Sequence, residues 1–207
     1  MSLFGLFFGP IPEIFWSVYS GEPFLKCIDC EVPLAEANTY IIQKRFVATE
    51  AVFEMAMCER CRDKMIQQYS EETRRNITNY LRAQFEKLME ETGVNEDGTM
   101  SFDVREIDDP EEGSAMLHES IDFCILCGTR RSECHRYSLT GVCRDDEIVV
   151  QITPMGRTPL MVCEKCELGM NELVSQQTRD AWDRFIQKHF GPPGIESDSP
   201  TSYPIAF

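Results

Sequence analysis

The sequence predicts an α+β chain in which one unit is used twice: a paired-cysteine knuckle, a β-hairpin and a long C-terminal helix. Three observations predict it. Eight of the ten cysteines fall in four CxxC pairs, Cys27/Cys30, Cys58/Cys61, Cys124/Cys127 and Cys163/Cys166. The stretches that follow the second and fourth pairs align without gaps at an offset of 105, the signature of an internal repeat. Apolar residues alternate before each of those two pairs and take helical spacing after it.

The elements follow in chain order. Residues 1–24 form an aromatic-rich segment in which Phe4, Phe7, Phe8, Ile11, Ile14, Phe15, Trp16 and Tyr19 crowd together. Pro12 suits the first position of a short helix ending near Gly21. The segment is read as cover for an apolar groove between the two units, a docking element for a partner or membrane surface being the alternative. Module one spans 25–92, with β-prone runs at 40–46 and 52–57 and a helix from about 62 to 91. That helix carries Met65, Tyr69, Ile77, Tyr80, Leu81, Phe85 and Leu88 near one face. Residues 93–120 read as an acidic linker with one short strand around Met100, Phe102 and Val104. Module two spans 121–191, with strands at 147–152 and 160–162 and a helix whose stripe is Met170, Leu173, Val174, Ala181, Trp182, Phe185, Ile186 and Phe190. The tail 192–207 is rich in Pro, Ser and Gly and reads as disordered.

The repeat is legible residue by residue. Cys58-Glu59-Arg60-Cys61 matches Cys163-Glu164-Lys165-Cys166, Ser70 falls on Ser175, and Thr73-Arg74 falls on Thr178-Arg179. The first CxxC pairs stand at an offset of 97, so module two has eight extra residues in its middle.

Two CxxC turns supply four soft ligands, the number a tetrahedral ion such as zinc requires. The predicted metal ligands are therefore Cys27, Cys30, Cys58 and Cys61 for one ion, and Cys124, Cys127, Cys163 and Cys166 for a second. With all four positions filled by thiolates, both ions are structural. Gaps of 27 and 35 residues separate the two pairs of each set, room for a hairpin. Zinc is the default metal; iron is compatible with the same ligand type. A disulfide framework is the rival, but residues 1–9 lack the basic start of a secretory leader, and a cytoplasmic chain keeps its thiols reduced. Each unit is small for a core of its own, so metal is expected to supply much of its folding energy, and loss of Cys58 or Cys163 is expected to unfold mainly its own module.

Knuckle, hairpin and a helix opening on the second CxxC is the order of a treble-clef zinc finger, and both modules resemble one. Module two, through Cys124-Ile125-Leu126-Cys127-Gly128 and Val162-Cys163-Glu164-Lys165-Cys166-Glu167-Leu168, resembles the N-terminal zinc-binding domain of the ClpX unfoldase family. The likeness covers about a third of the chain and departs from that family in a longer middle loop and a longer helix, with no ATPase following. It implies a finger that dimerises and docks adaptors or substrates.

Charge limits the partners. The net charge is −15, and residues 91–122 contribute −10 of it from eleven acids and one arginine. Such a field repels nucleic acid at long range. Lys44-Arg45, Arg74-Arg75 and Arg130-Arg131 are the candidate basic patches. No run of apolar residues is long enough to span a bilayer. No nucleophile–base pair, phosphate-binding glycine loop or HExxH motif can be read, so no catalytic role is expected. Cys134, His135 and Cys143 lie outside the quartets and read as ordinary side chains, a redox pair or auxiliary metal site being the alternative. His118 and His189 read as non-ligands, and the Asn76-Ile77-Thr78 sequon falls inside a helix. The reading is a cytoplasmic zinc adaptor or scaffold that contacts another protein, a homodimer being one form of that contact. A nucleic-acid-binding zinc protein and a thiol-based redox sensor are the alternatives.

Overall fold

The computed structural model describes residues 5–92, 105–153 and 156–191. Phe4, the strand expected near residues 100–104, and the tail 192–207 lie outside the described residues, as do the side chains of Phe85 and Leu88. What is described is α+β, organised on one eight-stranded sheet.

Strand β1 (Gly5–Pro10) comes first, then β2 (Tyr40–Val47) and β3 (Glu50–Cys58) as a hairpin, and helices α1 (Glu59–Gln67) and α2 (Glu71–Thr92). A two-residue strand β4 (Arg105–Glu106) and helix α3 (Pro110–Asp122) lead into the second half. That half contains β5 (Arg136–Arg144), β6 (Glu147–Thr153), β7 (Gly156–Thr158), β8 (Leu160–Cys163), α4 (Glu164–Asn171) and α5 (Gln176–Phe190). The main sheet order is β3-β2-β5-β6-β1-β4, with β7 on β6 and β8 on β5.

The two modules are joined strand to strand. β2 runs antiparallel to β5 along its whole length, from Tyr40 opposite Cys143 to Val47 opposite Arg136. This register sets Gln43 opposite Thr140. Those two positions are also equivalents under the 97-residue offset, so a pseudo-two-fold axis passes between them. Both strands are central and buried, and Phe46 stacks on Tyr137 across the junction at 4.9 Å.

The same axis relates the helices. Each long helical pattern is broken once, and the second helix of each pair is capped by a serine. Ser70 Oγ accepts from Thr73 N–H at 3.0 Å, and Ser175 Oγ accepts from Thr178 N–H at 3.4 Å. Such caps satisfy donors that a helix start leaves open. The two caps meet. Ser70 and Ser175 hydroxyls lie 2.8 Å apart, and the Thr178 hydroxyl donates to that of Thr73 at 3.0 Å. Each backbone crosses over as well: Ser70 N–H donates to Thr178 Oγ1 at 3.0 Å, and Ser175 N–H donates to Thr73 Oγ1 at 2.9 Å. Both threonines are fully buried. Thr178→Val is expected to lower the unfolding free energy by about 2 kcal/mol, because it strands buried partners. Combined with Thr73→Val, the loss should be less than the sum of the two, since the threonines satisfy each other. Urea unfolding of the single and double variants measures both quantities; an unchanged midpoint would mean the knot carries no stability.

The structure corrects several expectations. The N-terminal segment is not a helix. Pro10 and Pro12 keep it extended, and β1 pairs antiparallel with β6 over six residues before one 3-10 turn, Glu13–Phe15. Phe15 is fully buried and packs over Gly141, where an added Cβ would sit 3.1 Å from its ring. Tyr19 is exposed. The acidic stretch is not all linker: Asp109 caps α3 by accepting from Glu111 N–H at 3.0 Å, and Leu117 and Ile121 are buried beneath the exposed acids. Residues 136–144, read as loop, are β5, the true counterpart of β2. The extra residues of module two extend the chain into β6, the strand that receives β1.

The Lys44-Arg45 patch also dissolves. Lys44 is buried, pairs with Glu54 at 3.2 Å and donates to the Trp16 carbonyl. Arg45 reaches Glu167 of α4 at 2.8 Å, and Ser138 donates to the same carboxylate at 2.8 Å. The cations are spent inside the fold because both faces of β2 are covered, one by the N-terminal segment and the other by α4.

Candidate metal centres

Each quartet is assembled by a knuckle turn and a helix start. In module one, Cys27 and Cys30 sit on a tight turn in which Cys27 N–H donates to Val32 O and Glu31 N–H donates to Cys27 O, both at 2.9 Å. The second knuckle repeats it: Cys124 N–H donates to Thr129 O and Gly128 N–H to Cys124 O, both at 2.8 Å. The turn needs a left-handed residue, which is Gly128 at φ 70° in one copy and Glu31 at φ 57° in the other. Each knuckle is then fastened to its hairpin, Ile28 N–H to Ala56 O and Ile125 N–H to Met161 O, both at 2.9 Å.

Cys58 and Cys163 stand at the N-caps of α1 and α4, and Cys61 and Cys166 lie in the first turns. The free N–H groups there favour anionic sulfur. Cys58 N–H donates to Cys27 Sγ at 3.4 Å, and Cys163 N–H donates to Cys124 Sγ at 3.4 Å.

All eight predicted ligands are brought together as two groups of four. Within each group the four sulfurs lie within 4.8 Å of one another. Cys30 and Cys58 sulfurs are 3.7 Å apart, and Cys127 and Cys163 sulfurs 3.6 Å. A tetrahedron with metal–sulfur bonds of about 2.3 Å has edges of about 3.8 Å, so the quartets fit a four-thiolate ion. Cys30 and Cys127 face solvent, and the other six are buried. These residues would hold one structural ion each, fixing knuckle to helix.

The electrostatics of the thiols alone favour a cation. In the first quartet, a hydrogen bond from the Val32 backbone, helped by neighbouring thiols and by Arg60, brings Cys30 down to about 6. Burial pushes Cys58 and Cys61 up. In the second, hydrogen bonds from the Cys166 thiol and nearby backbone N–H groups bring Cys124 down to about 4. The bond to Cys124, then burial, raises Cys166, and burial pushes Cys163 up to about 12. Cys30 and Cys124 thus ionise more readily than usual, while Cys58 and Cys61 in one group and Cys163 and Cys166 in the other resist ionisation. A divalent ion removes that resistance by supplying the opposing charge.

Residues around the quartets come from the opposite module. Asp29, between Cys27 and Cys30, accepts from Lys188 Nζ at 2.6 Å and lies 3.1 Å from His189 Nε2, both on α5. These bonds, Lys188 foremost, hold the Asp29 carboxyl below its usual range. From the other side, α2 of module one directs the Asn76 amide at Leu173 O, 3.5 Å away, just after α4, and burial, then the nearby thiols of the second quartet, raise the Tyr80 phenol. Sequence reasoning missed this exchange, although it placed Tyr80 and His189 on the apolar stripes of the two helices.

Cys134, His135 and Cys143 join neither group; the two quartets are the metal-type clusters found among the described residues. Cys143 is buried in β5, where desolvation pushes its thiol up to about 12. Cys134 is half-buried on the second knuckle loop, its thiol near Arg130 O at 3.3 Å. With Arg130, Arg131, His135 and Tyr137 it lines an open groove of about 800 Å³. His118 is exposed on α3, and Asn76 is half-buried with its amide directed at Leu173 O, 3.5 Å away. No helix among the described residues is long and apolar enough to cross a membrane.

Neither a family model, a curated protein nor a solved structure matches the chain, so the metal assignment stands on the geometry of the two quartets.

Proposed function

We propose that this chain is a non-enzymatic, cytoplasmic adaptor or scaffold built on two treble-clef zinc fingers, and that it acts by contacting another protein. The closed ligand shells are the observation that carries this reading. Each quartet offers four sulfurs to one ion, which would leave that ion no open position for a water or substrate, the pattern of structural zinc. The molecule also leaves apolar side chains in solvent: Val18, Tyr19 and Val52 are exposed, and so in part is Phe190. Val18 N–H donates to the Glu54 carboxylate of β3, and the Phe190 ring lies tilted against Phe53 of the same strand, centroids 5.0 Å apart. β3 ends the sheet on that side. An exposed strand edge flanked by apolar residues is a surface that proteins use for one another.

Affinity capture with the metal-loaded chain tests the reading. A specific protein should be retained by the wild type and lost by Val52→Lys combined with Tyr19→Ala, with metal content and melting temperature unchanged. Tight, sequence-selective nucleic-acid binding at physiological salt, weakened by Arg74→Glu and Arg130→Glu, would overturn it in favour of a nucleic-acid-binding zinc protein.

A further inference from the structure

We infer that the two metal centres are energetically coupled: each stabilises the other because the long helix of each module closes on the opposite module, and at the first centre the closure is a clasp of Asp29 with Lys188 and His189. The inference rests on metal binding by the quartets and is independent of what partner the chain contacts.

The clasp can be traced through contacts. Asp29 stands between two ligands of the first ion, so the metal that fixes the knuckle also fixes this carboxylate. Lys188 and His189 bind it from the last turn of α5, at 2.6 and 3.1 Å. Phe190 of the same turn rests on Phe53 at 5.0 Å. Further back along α5, Trp182 is fully buried and its indole N–H donates to the Tyr69 hydroxyl of module one at 3.0 Å. α5 begins at the Ser175 cap, which is bonded to Ser70 and Thr73 of the other module. Immediately before it, α4 carries Cys166, a ligand of the second ion. A continuous line of packed and hydrogen-bonded groups therefore joins one ion to the other, and it is made of elements that exchange between modules. The return path runs through α2, which follows the Cys61 helix: its cap residue Ser70 is bonded through its N–H to Thr178, and Asn76 directs its amide at Leu173 O, 3.5 Å away, in the segment that links α4 to α5.

Losing one ion frees a knuckle that is the seat of the other module's helix. The helix end then loses its partners, and the ligand at the head of that helical pair is less well held. Linkage requires the effect to be reciprocal, so each ion must raise the affinity of the other by the same factor. Couplings of this kind fall at roughly 5–150-fold. The ion pair itself is partly exposed, so it contributes little alone and acts by registering the helix end on the knuckle.

Cobalt(II) and zinc competition against a chromophoric chelator, on the full chain, tests the inference. Cys163→Ser with Cys166→Ser removes the second centre; the dissociation constant of the first should then rise about tenfold or more. Cys58→Ser with Cys61→Ser should weaken the second centre by a matching factor. Lys188→Ala with His189→Ala keeps all eight thiols, so it separates coupling from ligand loss. In that background the second-centre cysteine changes should shift the first centre by less than about threefold. Equal first-centre affinity with and without the second centre would overturn the inference. So would a loss that persists undiminished when the clasp is removed.

Discussion

Chelation of both metal ions is expected to unfold the whole chain in a single transition, and not to release one module at a time. A structural zinc site contributes about 10–16 kcal/mol of apparent binding free energy, as much as or more than the roughly 5–15 kcal/mol that stabilises an ordinary domain. The sequence alone suggests that losing Cys58 or Cys163 unfolds only the module it belongs to. The structure predicts otherwise, because β2 and β5 share eight paired positions and the helix caps hydrogen-bond across the pseudo-two-fold axis. Cys58→Ser should therefore lower the chelator concentration at which the chain unfolds, and by the same amount for both halves. In a Trp16→Phe background, Trp182 fluorescence reports module two and far-ultraviolet circular dichroism reports the whole; on titration with a chelator the two curves should coincide. Two separated transitions would show that the modules fold alone.

Deletion of residues 1–20 should have an effect of comparable size. It removes β1 and leaves the matching edge of β6 unpaired over six positions. It removes Phe15, whose loss as Phe15→Ala alone should cost about 3–5 kcal/mol. It also strips Lys44 of the Trp16 carbonyl and Glu54 of the Ser17 hydroxyl and Val18 N–H, leaving a buried ion pair with fewer compensating bonds. The truncated chain is expected to self-associate through the bare strand and uncovered apolar surface. Size-exclusion chromatography and thermal melting check this. A monomeric truncation with an unchanged melting temperature would contradict it and make the segment a docking element.

Much of the site was legible because metal chemistry is local. A CxxC turn, its spacing and a helical pattern that starts on the second pair single out, without knowledge of the fold, the eight cysteines that the structure gathers into two quartets. The hairpin β2–β3 was legible for the same reason, since its alternation is local. What was not legible is long-range. β5 reads as loop because Ser138, Thr140 and Gly141 dilute its pattern, yet extending the 97-residue offset from the cysteines would have matched Tyr40 to Tyr137 and exposed the strand. A side chain at Gly141 would meet Ile148 at 2.9 Å and Phe15 at 3.1 Å, the latter a contact from another part of the chain. α3 is masked by acids and by Gly113, which is small because the Phe7 ring lies against it. Asp109-Pro110, a cap followed by proline at the first helical position, was the signal that could have found it. The serine–threonine pairs at 70/73 and 175/178 were matched as a repeat, but only the structure reveals that the two copies bond to each other. Lys44 reads as a surface cation, and only the N-terminal cover makes it a buried one.

The most direct test of the account is the metal content of the purified chain, measured by elemental analysis together with intact mass under native and denaturing conditions. Two zinc ions per chain are expected, retained through dialysis, with all ten cysteines reduced once the protein is denatured. A metal-free protein whose CxxC pairs are joined by disulfides would contradict it.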